Sequence, residues 1–288
     1  MAMTNGMSWW RRWLGSSASP PPVRPTLDLV VPFAALALPE QLLATGIASD
    51  VGCVRSTNED AATILTDVAS TDGRGVLAVI CDGMGGHSAG EVASAIAVQT
   101  VEAAWPMLDD AAALPDAIQL ANQAIVAEAR QDASHRGMGT TCLLLWARGG
   151  LLHCAHVGDS RCYLLRDDRL LLMTEDHSAV MTMVRRGEIS AADARHHPDK
   201  NIISRALGAR REVEVSTWPQ PFRARPNDRF LLCTDGLYDL VSDEVILRCL
   251  RDLLPQSACD QLVAEARARG APDNVTVIVL SYPSEPIA

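Results

Sequence analysis

Aspartates recur in this sequence in one setting, at the edge of an apolar stretch and beside a small or turn-forming residue. They are Asp82 in VICDG, Asp159 in AHVGDS, Asp235 in LLCTDG, Asp273 in APDN and Asp60 in RSTNEDAA. An unpaired charge at the mouth of a buried strand is costly unless something compensates it. A single such aspartate is usually a turn former or a helix cap. Several in separate parts of one chain favour oxygen ligation of a hard cation such as Mg²⁺ or Mn²⁺.

The composition narrows the class of protein. The chain has 288 residues, 48% of them hydrophobic, and a net charge of −10. This charge argues against nucleic-acid binding, because phosphate backbones are held by clustered Lys and Arg. None of the 8 cysteines forms a C-x-x-C pair, so neither a structural zinc site nor a thioredoxin-type motif is predicted. No signal peptide or membrane-length apolar run is apparent, which favours a cytoplasmic location.

Residues 1–45 differ in composition from the rest. MSWWRRWLG places three tryptophans beside two arginines, and SSASPPPVRP is too rich in proline for a regular helix. We expect a flexible tail here. The alternative is a weak contact with a membrane surface or a partner protein, since Trp and Arg both favour interfaces.

From residue 46 to residue 283 the pattern predicts blocks of strands and helices. The predicted strands are AATILTDV, GVLAVICD, TTCLLLWA, LLHCAHVGD, RCYLLRDDRLLLMT, FLLCTDG and NVTVIVLSY. The predicted helices are SAGEVASAIAVQTVEAAW, LPDAIQLANQAIVAEAR, SDEVILRCLRDLL and QSACDQLVAEARARG. Consecutive hairpins and paired helices indicate an α+β fold, in which helices cover antiparallel sheets. Residues 178–210 interrupt this rhythm, and we expect them to form a lid over a site.

In their residues and their order, these stretches resemble those of the metal-dependent Ser/Thr protein phosphatases, the protein phosphatase 2C-like (PPM) group, in its bacterial form. The resemblance extends over about residues 46–282. It rests on SDVGCVRSTNEDAA, VICDGMGGHSAGE, GMGTTCLLLW, HVGDSRCYLL, IISRALG, LLCTDGLYDLVSDEVI and PDNVTVIVL, all in the family's order. The fold that this resemblance implies is a sandwich of two packed antiparallel β-sheets flanked by antiparallel helix pairs, a four-layer αββα arrangement.

The resemblance also implies a two-ion metal centre that takes Mn²⁺ or Mg²⁺. Asp82 would bridge the two ions, the backbone carbonyl of Gly83 would bind one of them, and Asp235 and Asp273 would complete the ligand set. Two cations that share a water lower its pKa, which supplies hydroxide near neutral pH for in-line attack on phosphorus.

Further residues take roles that the resemblance implies less directly. Glu59 or Asp60 would contribute to the metal centre directly or through water, and Asp159 would hold a third, weaker ion. Arg55 would grip the substrate phosphate, for which its planar fork is suited. Many eukaryotic relatives carry a histidine two residues after the bridging aspartate, where this chain has a methionine. His87 is a candidate proton donor to the leaving oxygen, or else a loop histidine that orders the turn.

The implied activity is hydrolysis of phosphoserine and phosphothreonine in proteins, reversing a Ser/Thr kinase. Phosphorylated proteins, including a eukaryotic-like Ser/Thr kinase, are the expected partners, and a monomer is expected. One alternative is a cysteine-dependent phosphatase built on Cys154 and Arg161, although six residues separate them where tyrosine phosphatases have five. Another is a catalytically weak, phosphatase-like binding or regulatory module. Loss of a ligand aspartate would indicate such a module, and none is missing.

Overall fold

The structure, a computed structural model, describes residues 43–67, 73–85, 89–194 and 196–284. Residues 1–42 of the predicted tail lie outside the described residues, and so does His87. The first strand begins at Ala44, slightly before the predicted start of the domain. Within the described ranges, no helix combines the length and the apolar character needed to cross a membrane.

The described strands form two sheets, and all their pairings are antiparallel. In chain order they are β1 (Ala44–Asp50), β2 (Asp60–Asp67), β3 (Gly75–Met84), β4 (Gly139–Thr140), β5 (Cys142–Arg148), β6 (Leu151–Val157), β7 (Arg161–Arg166), β8 (Arg169–Leu172), β9 (Ser216–Thr217), β10 (Phe222–Arg223), β11 (Arg229–Cys233) and β12 (Val275–Ser281). The first sheet has the spatial order β1-β12-β11-β7-β8. The second has the order β10-β6-β5-β3-β2, with β4 paired to β3 and β9 paired to β6.

The helices fall into two pairs and three shorter segments. They are α1 (Ala89–Ala104), α2 (Leu114–Gln131), α3 (Ala179–Arg186), α4 (Ala191–Ala194), α5 (Asp235–Tyr238), α6 (Asp243–Asp252) and α7 (Pro255–Ala268). Helices α1 and α2 pack on the second sheet, and α6 and α7 pack on the first. Helices α3 and α4 lie within the predicted lid.

Strand β3 shows how the layers are built. Because side chains alternate across a strand, Leu77 and Val79 pack against the α1/α2 layer. Ala78 and Ile80 point the other way and meet residues of the first sheet, including Ile278. Both faces of β3 are therefore buried, which explains its continuous apolar run. A third apolar layer lies between the first sheet and α6/α7, so the predicted four-layer α+β sandwich is confirmed.

Strand β1 was not expected from its sequence, ATGIASD. Its small and polar residues carry little strand signal, and it is ordered by pairing along its whole length with β12, as in Ile47 opposite Ile278. A Cβ atom on Gly46 would lie 2.5 Å from backbone atoms of Pro255 and Gln256. The start of α7 thus crosses β1 closely, and this contact depends on tertiary packing.

Candidate active site

Asp82 lies near the end of β3, directly opposite Asp60 of β2 in the antiparallel register. Hydrogen bonds from two threonines fix its backbone. The Asp82 N–H donates to Thr141 Oγ1 at 2.8 Å, and the Thr141 N–H donates to the Asp82 carbonyl at 2.8 Å. The Thr140 hydroxyl donates to the same carbonyl at 2.9 Å. The carboxylate of Asp82 is therefore carried by a strand end with little freedom to move.

Gly83 continues this strand end where backbones approach closely. A Cβ atom at this position would lie 2.2 Å from the carbonyl oxygen of Gly90 and 2.4 Å from that of Glu59. The Gly83 N–H donates to the Glu59 carbonyl at 3.1 Å. Glycine is needed here because any side chain would push apart the loop of Glu59 and the start of α1. The role of the Gly83 carbonyl as a metal ligand stays a prediction.

Asp235 and Asp273 come from the first sheet. Asp235 is the first residue of α5, directly after β11, and Asp273 lies in the loop before β12, the neighbour of β11. The Thr234 hydroxyl donates to Asp60 Oδ2 at 2.9 Å. This bond joins the end of β11 to β2 of the other sheet, so carboxylates from both sheets meet at one edge of the sandwich.

Asn274 holds the loop that carries Glu59. Its side-chain oxygen accepts from the Glu59 N–H at 2.8 Å. Its amide group donates to the carbonyls of Val51 and Thr57 at 2.9 and 3.0 Å. The residue after Asp273 therefore orients the loop of Glu59.

Arg55 extends from the same loop to the rim of the site. Its Nη2 atom donates to Asp273 Oδ2 at 2.9 Å, and its Nη1 atom lies 3.8 Å from Glu59 Oε2. The Arg55 side chain is 48% exposed, so it is also open to a ligand from solvent. Its predicted contact with a substrate phosphate stays a prediction.

Asp159 is buried in the turn after β6, and a second arginine stabilises its surroundings. The Tyr238 hydroxyl, at the end of α5, donates to the Asp159 carbonyl at 3.2 Å. Arg161 stacks on the Tyr238 ring at 3.6 Å and forms a fork with Asp176, with bonds of 3.1 and 2.7 Å. The turn of Asp159 and helix α5 are thereby held together.

The pKa values of the clustered carboxyls show their convergence. Burial and then neighbouring aspartates raise the pKa of Asp60 to about 7, of Asp159 to about 8 and of Asp235 to about 6. Burial, followed by the charges of Asp60, Asp235, Asp159 and Asp273, raises the pKa of Asp82 well above its usual value. Like charges raise each other's pKa only when they lie close together. The structure thus brings the predicted aspartates to one place.

This donor set fits a hard divalent cation in its chemistry. All the groups offer oxygen, which Mg²⁺ and Mn²⁺ prefer, and a cation would relieve the repulsion among the carboxylates. As they stand, however, no three Asp, Glu, His or Cys side chains in the described part of the chain are placed to hold an ion. Asp60 and Asp273 are instead engaged by Thr234 and Arg55. Side-chain rotation would have to accompany metal binding.

The buried threonines of this site were missed as functional candidates. The Thr141 hydroxyl, besides binding the backbone of Asp82, lies 2.8 Å from Ser160 Oγ in the Asp159 turn. Thr140, Thr141 and Thr234 are fully buried. The signal available in the sequence was a polar TT pair at the start of an apolar strand, where hydroxyls need partners.

The structure excludes the cysteine-dependent alternative. Cys154 is buried within the sheet core, and burial alone raises the pKa of its thiol, so the reactive thiolate is disfavoured. Arg161 is occupied by Asp176 and by Tyr163, to which it donates at 3.1 Å. No phosphate-binding loop can form between these two residues.

The predicted lid touches the site from one side. Lys200 Nζ lies 2.6 Å from Asp239 Oδ2, immediately after α5. The charge of Asp239 raises the pKa of Asp235 and that of Lys200 lowers it, both with smaller effect than burial. A residue of the predicted lid therefore acts electrostatically on a carboxylate of the site.

Comparison with known proteins agrees with this geometry. Residues 54–267 match the model of the family described as Protein phosphatase 2C. The serine/threonine protein phosphatase PstP of Mycobacterium tuberculosis is 42% identical over 238 residues, which are 80% of this chain and 43% of that protein. The serine/threonine phosphatase stp of Listeria innocua is 38% identical over 242 residues, 81% of this chain and 93% of that protein.

A solved structure is similar in fold as well. The catalytic domain of PstP in complex with 2 manganese ions has a TM-score of 0.68 and 40% sequence identity, covering 83% of this chain and 97% of that one. This chain spans less than half the length of the full Mycobacterium tuberculosis relative. The family match runs from before β2 into α7 and includes Asp60, Asp82, Asp159 and Asp235. The chain belongs to the protein phosphatase 2C family.

Proposed function

We propose that this protein is a metal-dependent phosphoprotein phosphatase that hydrolyses phosphoserine and phosphothreonine and so reverses a Ser/Thr kinase. The observation that carries the proposal is the meeting of carboxylates from both sheets at one edge of the sandwich. Asp60 lies opposite Asp82 in the β2–β3 register, and Thr234, the residue before Asp235, bonds to Asp60. Relatives of the chain bear the name serine/threonine phosphatase, which supports the substrate class.

The proposed metal ligands are the convergent carboxylates and one carbonyl. Two ions would be held by Asp82, the Gly83 carbonyl, Asp235 and Asp273, and either Glu59 or Asp60 would add a direct or water-mediated contact. A third ion is proposed at Asp159. Mn²⁺ is favoured by the manganese in the PstP catalytic domain, and Mg²⁺ shares its preference for oxygen. Such ions, when bound, supply an activated water and neutralise phosphoryl charge.

The chain's own residues bind and orient the substrate in this proposal. Arg55, half exposed at the rim, would exchange its bond to Asp273 for a bidentate contact with phosphate oxygens. The hydrogen bonds to the Asp82 backbone and to the Glu59 N–H hold the backbone segments from which these side chains extend. His87, outside the described residues, is the candidate proton donor to the leaving serine or threonine oxygen.

The proposed setting is the cytoplasm, where a eukaryotic-like Ser/Thr kinase and its targets would be the phosphorylated partners. All 8 cysteines are free thiols, which suits a reducing compartment.

A monomer is proposed, with a weak membrane or partner contact through the Trp/Arg tail. Deletion of residues 1–40 should then reduce co-fractionation with membranes, and unchanged fractionation would argue against that contact.

The test is phosphate release from a phosphothreonine peptide with Mn²⁺, with EDTA and with the Asp82→Asn variant. We expect activity to require Mn²⁺ and to fall by about 1,000-fold or more in the variant, since it removes the proposed bridging charge. Asp109→Asn is the matched control, because the Asp109 side chain is 90% exposed. Activity that survives EDTA would contradict the metal mechanism. No activity in a protein that binds Mn²⁺ and phosphopeptide would favour the binding module.

A further inference from the structure

The residue that precedes the lid is bonded to the turn that carries Asp159. The Gly158 N–H donates to His177 Nδ1 at 3.1 Å, and the His177 N–H donates to the Gly158 carbonyl at 3.0 Å. Ser178, the next residue, caps helix α3 by accepting from the Met181 N–H. The start of the lid is thus joined through both backbone and ring of His177 to the residue before Asp159.

The His177 ring is held in one orientation. Because Nδ1 accepts from the Gly158 N–H, the proton of the neutral ring is on Nε2, which donates to Ser216 Oγ at 2.9 Å. The ring stacks on His156 at 4.8 Å with an interplanar angle of 10°. Burial, and then the charges of His156 and Arg205, lower the pKa of His177 to about 3. At neutral pH the ring is therefore uncharged, and Nδ1 can accept the bond from the Gly158 N–H.

The far end of the lid returns to the same place. The Ser204 N–H donates to the His177 carbonyl at 2.7 Å. Three residues later, Leu207 and Thr140 exchange two backbone hydrogen bonds of 2.9 and 3.2 Å. Thr140 in turn binds the carbonyl of Asp82. Both ends of the lid are therefore attached to segments that carry carboxylates of the site.

Gly158 can transmit a displacement because it has little room of its own. Its φ is +105°, and a Cβ atom would lie 2.5 Å from the Thr141 side chain. The turn is confined between Thr141 on one side and His177 on the other. A shift of His177 must consequently move or release the turn of Asp159.

We propose that His177 is a positioning residue that couples the lid to Asp159, so that the placement of this carboxylate depends on how the base of the lid is seated. The proposal deepens the proposed function and rests on it for its consequence in catalysis. A phosphoprotein that displaces the lid would change the affinity of the Asp159 carboxylate for a cation. His177 itself touches neither substrate nor cation.

The first test is independent of metal and of activity. Hydrogen exchange at the Gly158 amide is measured in the wild-type protein and in the His177→Leu and His177→Asn variants, all in EDTA. Leucine removes the acceptor, so exchange should accelerate by about fivefold or more, whereas the asparagine oxygen replaces Nδ1 and should preserve protection. Equal exchange in the wild-type and His177→Leu proteins would overturn the proposal.

The second test measures Mn²⁺ binding by calorimetry, alone and in combination with Asp159→Asn. His177→Leu should weaken the weakest Mn²⁺ site by about tenfold, and His177→Asn should restore most of that affinity. In the Asp159→Asn background His177→Leu should have no further effect, since the two residues would act through one path. Additive effects in the double variant would overturn the proposal.

Controls separate a local effect from general instability. His153→Leu makes the same change at a histidine of β6 that packs near Trp146 instead, and it should leave exchange and Mn²⁺ binding unchanged. If His177→Leu does not fold, Ser216→Ala replaces it, because this change removes the partner of Nε2. Ser216→Ala should accelerate exchange at the Gly158 amide and weaken Mn²⁺ binding, both to a smaller extent. No change in either measurement would overturn the proposal. The exchange experiment stands even if no phosphatase activity is found, so the two proposals fail separately.

Discussion

Two regions of the described chain place aspartate in contrasting surroundings: Asp228 is buried beside a basic side chain, whereas Asp60 and Asp82 are half-buried among other carboxyls. Asp228, 1% exposed, accepts a fork from Arg166 with bonds of 2.8 and 2.6 Å and a third bond from the Arg225 N–H at 2.7 Å. Asp60 and Asp82 accept no ion pair from a basic side chain in the described part of the chain, and burial, followed by neighbouring aspartates, raises their pKa values.

The difference distinguishes a carboxylate neutralised within the fold from carboxylates that we propose to be functional. A buried charge with its own cation is neutralised within the fold, and its loss affects folding. Buried carboxylates that face one another destabilise the fold, because each raises the cost of ionising the next. An external cation would compensate such a cluster, which supports the proposed metal centre at Asp60, Asp82 and their neighbours.

The largest difference between the two regions is expected when one aspartate in each is neutralised. Asp228→Asn should lower the free energy of unfolding by about 3 kcal/mol or more, because Arg166 is left buried and unpaired. Asp235→Asn should leave stability in EDTA unchanged or raised, since it removes a repelled charge. Urea unfolding of both variants in EDTA measures this. Equal destabilisation by both substitutions would contradict the distinction.

The carboxyl cluster should also make the stability of the protein depend on pH. The pKa values of Asp60 (about 7), Asp159 (about 8) and Asp235 (about 6) exceed the value of about 4 in the unfolded chain. The folded state therefore binds more protons between these values, and stability falls as pH rises from about 4 to about 8.

The melting temperature in EDTA should accordingly fall over this range, and Asp60→Asn should make the fall shallower. Saturating Mn²⁺ should oppose the fall, because the cation replaces the protons and binds the ionised carboxylates. A melting temperature in EDTA that rose between pH 5 and pH 8 would be inconsistent with the repelled cluster.

Lys200 and Asp239 form an intermediate case, a partly exposed ion pair beside the site. Lys200→Met should change the free energy of unfolding by no more than about 1 kcal/mol, because such pairs are screened by water. Loss of the cation should tighten Mn²⁺ binding slightly and raise KM for a phosphopeptide. Calorimetry measures the change in Mn²⁺ affinity, and steady-state kinetics measures the change in KM. Arg186→Met, at an exposed lid cation, is the control; a matching change there would contradict a specific role.

The smallest effect is expected at Cys154, a buried thiol whose pKa is raised by burial alone. Because burial, and not a neighbouring carboxylate, raises its pKa, we expect Cys154 to have a structural role only. Cys154→Ala should change phosphate release by less than about twofold, and iodoacetamide should not inactivate the wild-type enzyme. Rapid inactivation at this thiol would reopen the cysteine mechanism.

Much of the fold was accessible from local patterns. In α2 the buried residues Leu114, Ala117, Ile118, Ala121 and Ile125 are those that recur at helical spacing. The hairpin of β7 and β8 turns at the predicted RDD, where Asp167 and Asp168 adopt positive φ values of 51° and 55°. Strand β1 escaped prediction because its order comes from β12 and α7, far away in the chain.

The sequence by itself determined which aspartates stand at strand ends and turns, and it predicts them as the oxygen donors of the site. Strand ends and turn residues are local features, so Asp82, Asp159, Asp235 and Asp273 could be identified from their neighbours alone. Only the tertiary structure decided what lies beside them. The Thr234–Asp60 bond joins residues 174 positions apart, and the Asn274 contact with Glu59 spans 215. Such contacts follow from how the two sheets and the lid pack, which leaves no local pattern in the sequence.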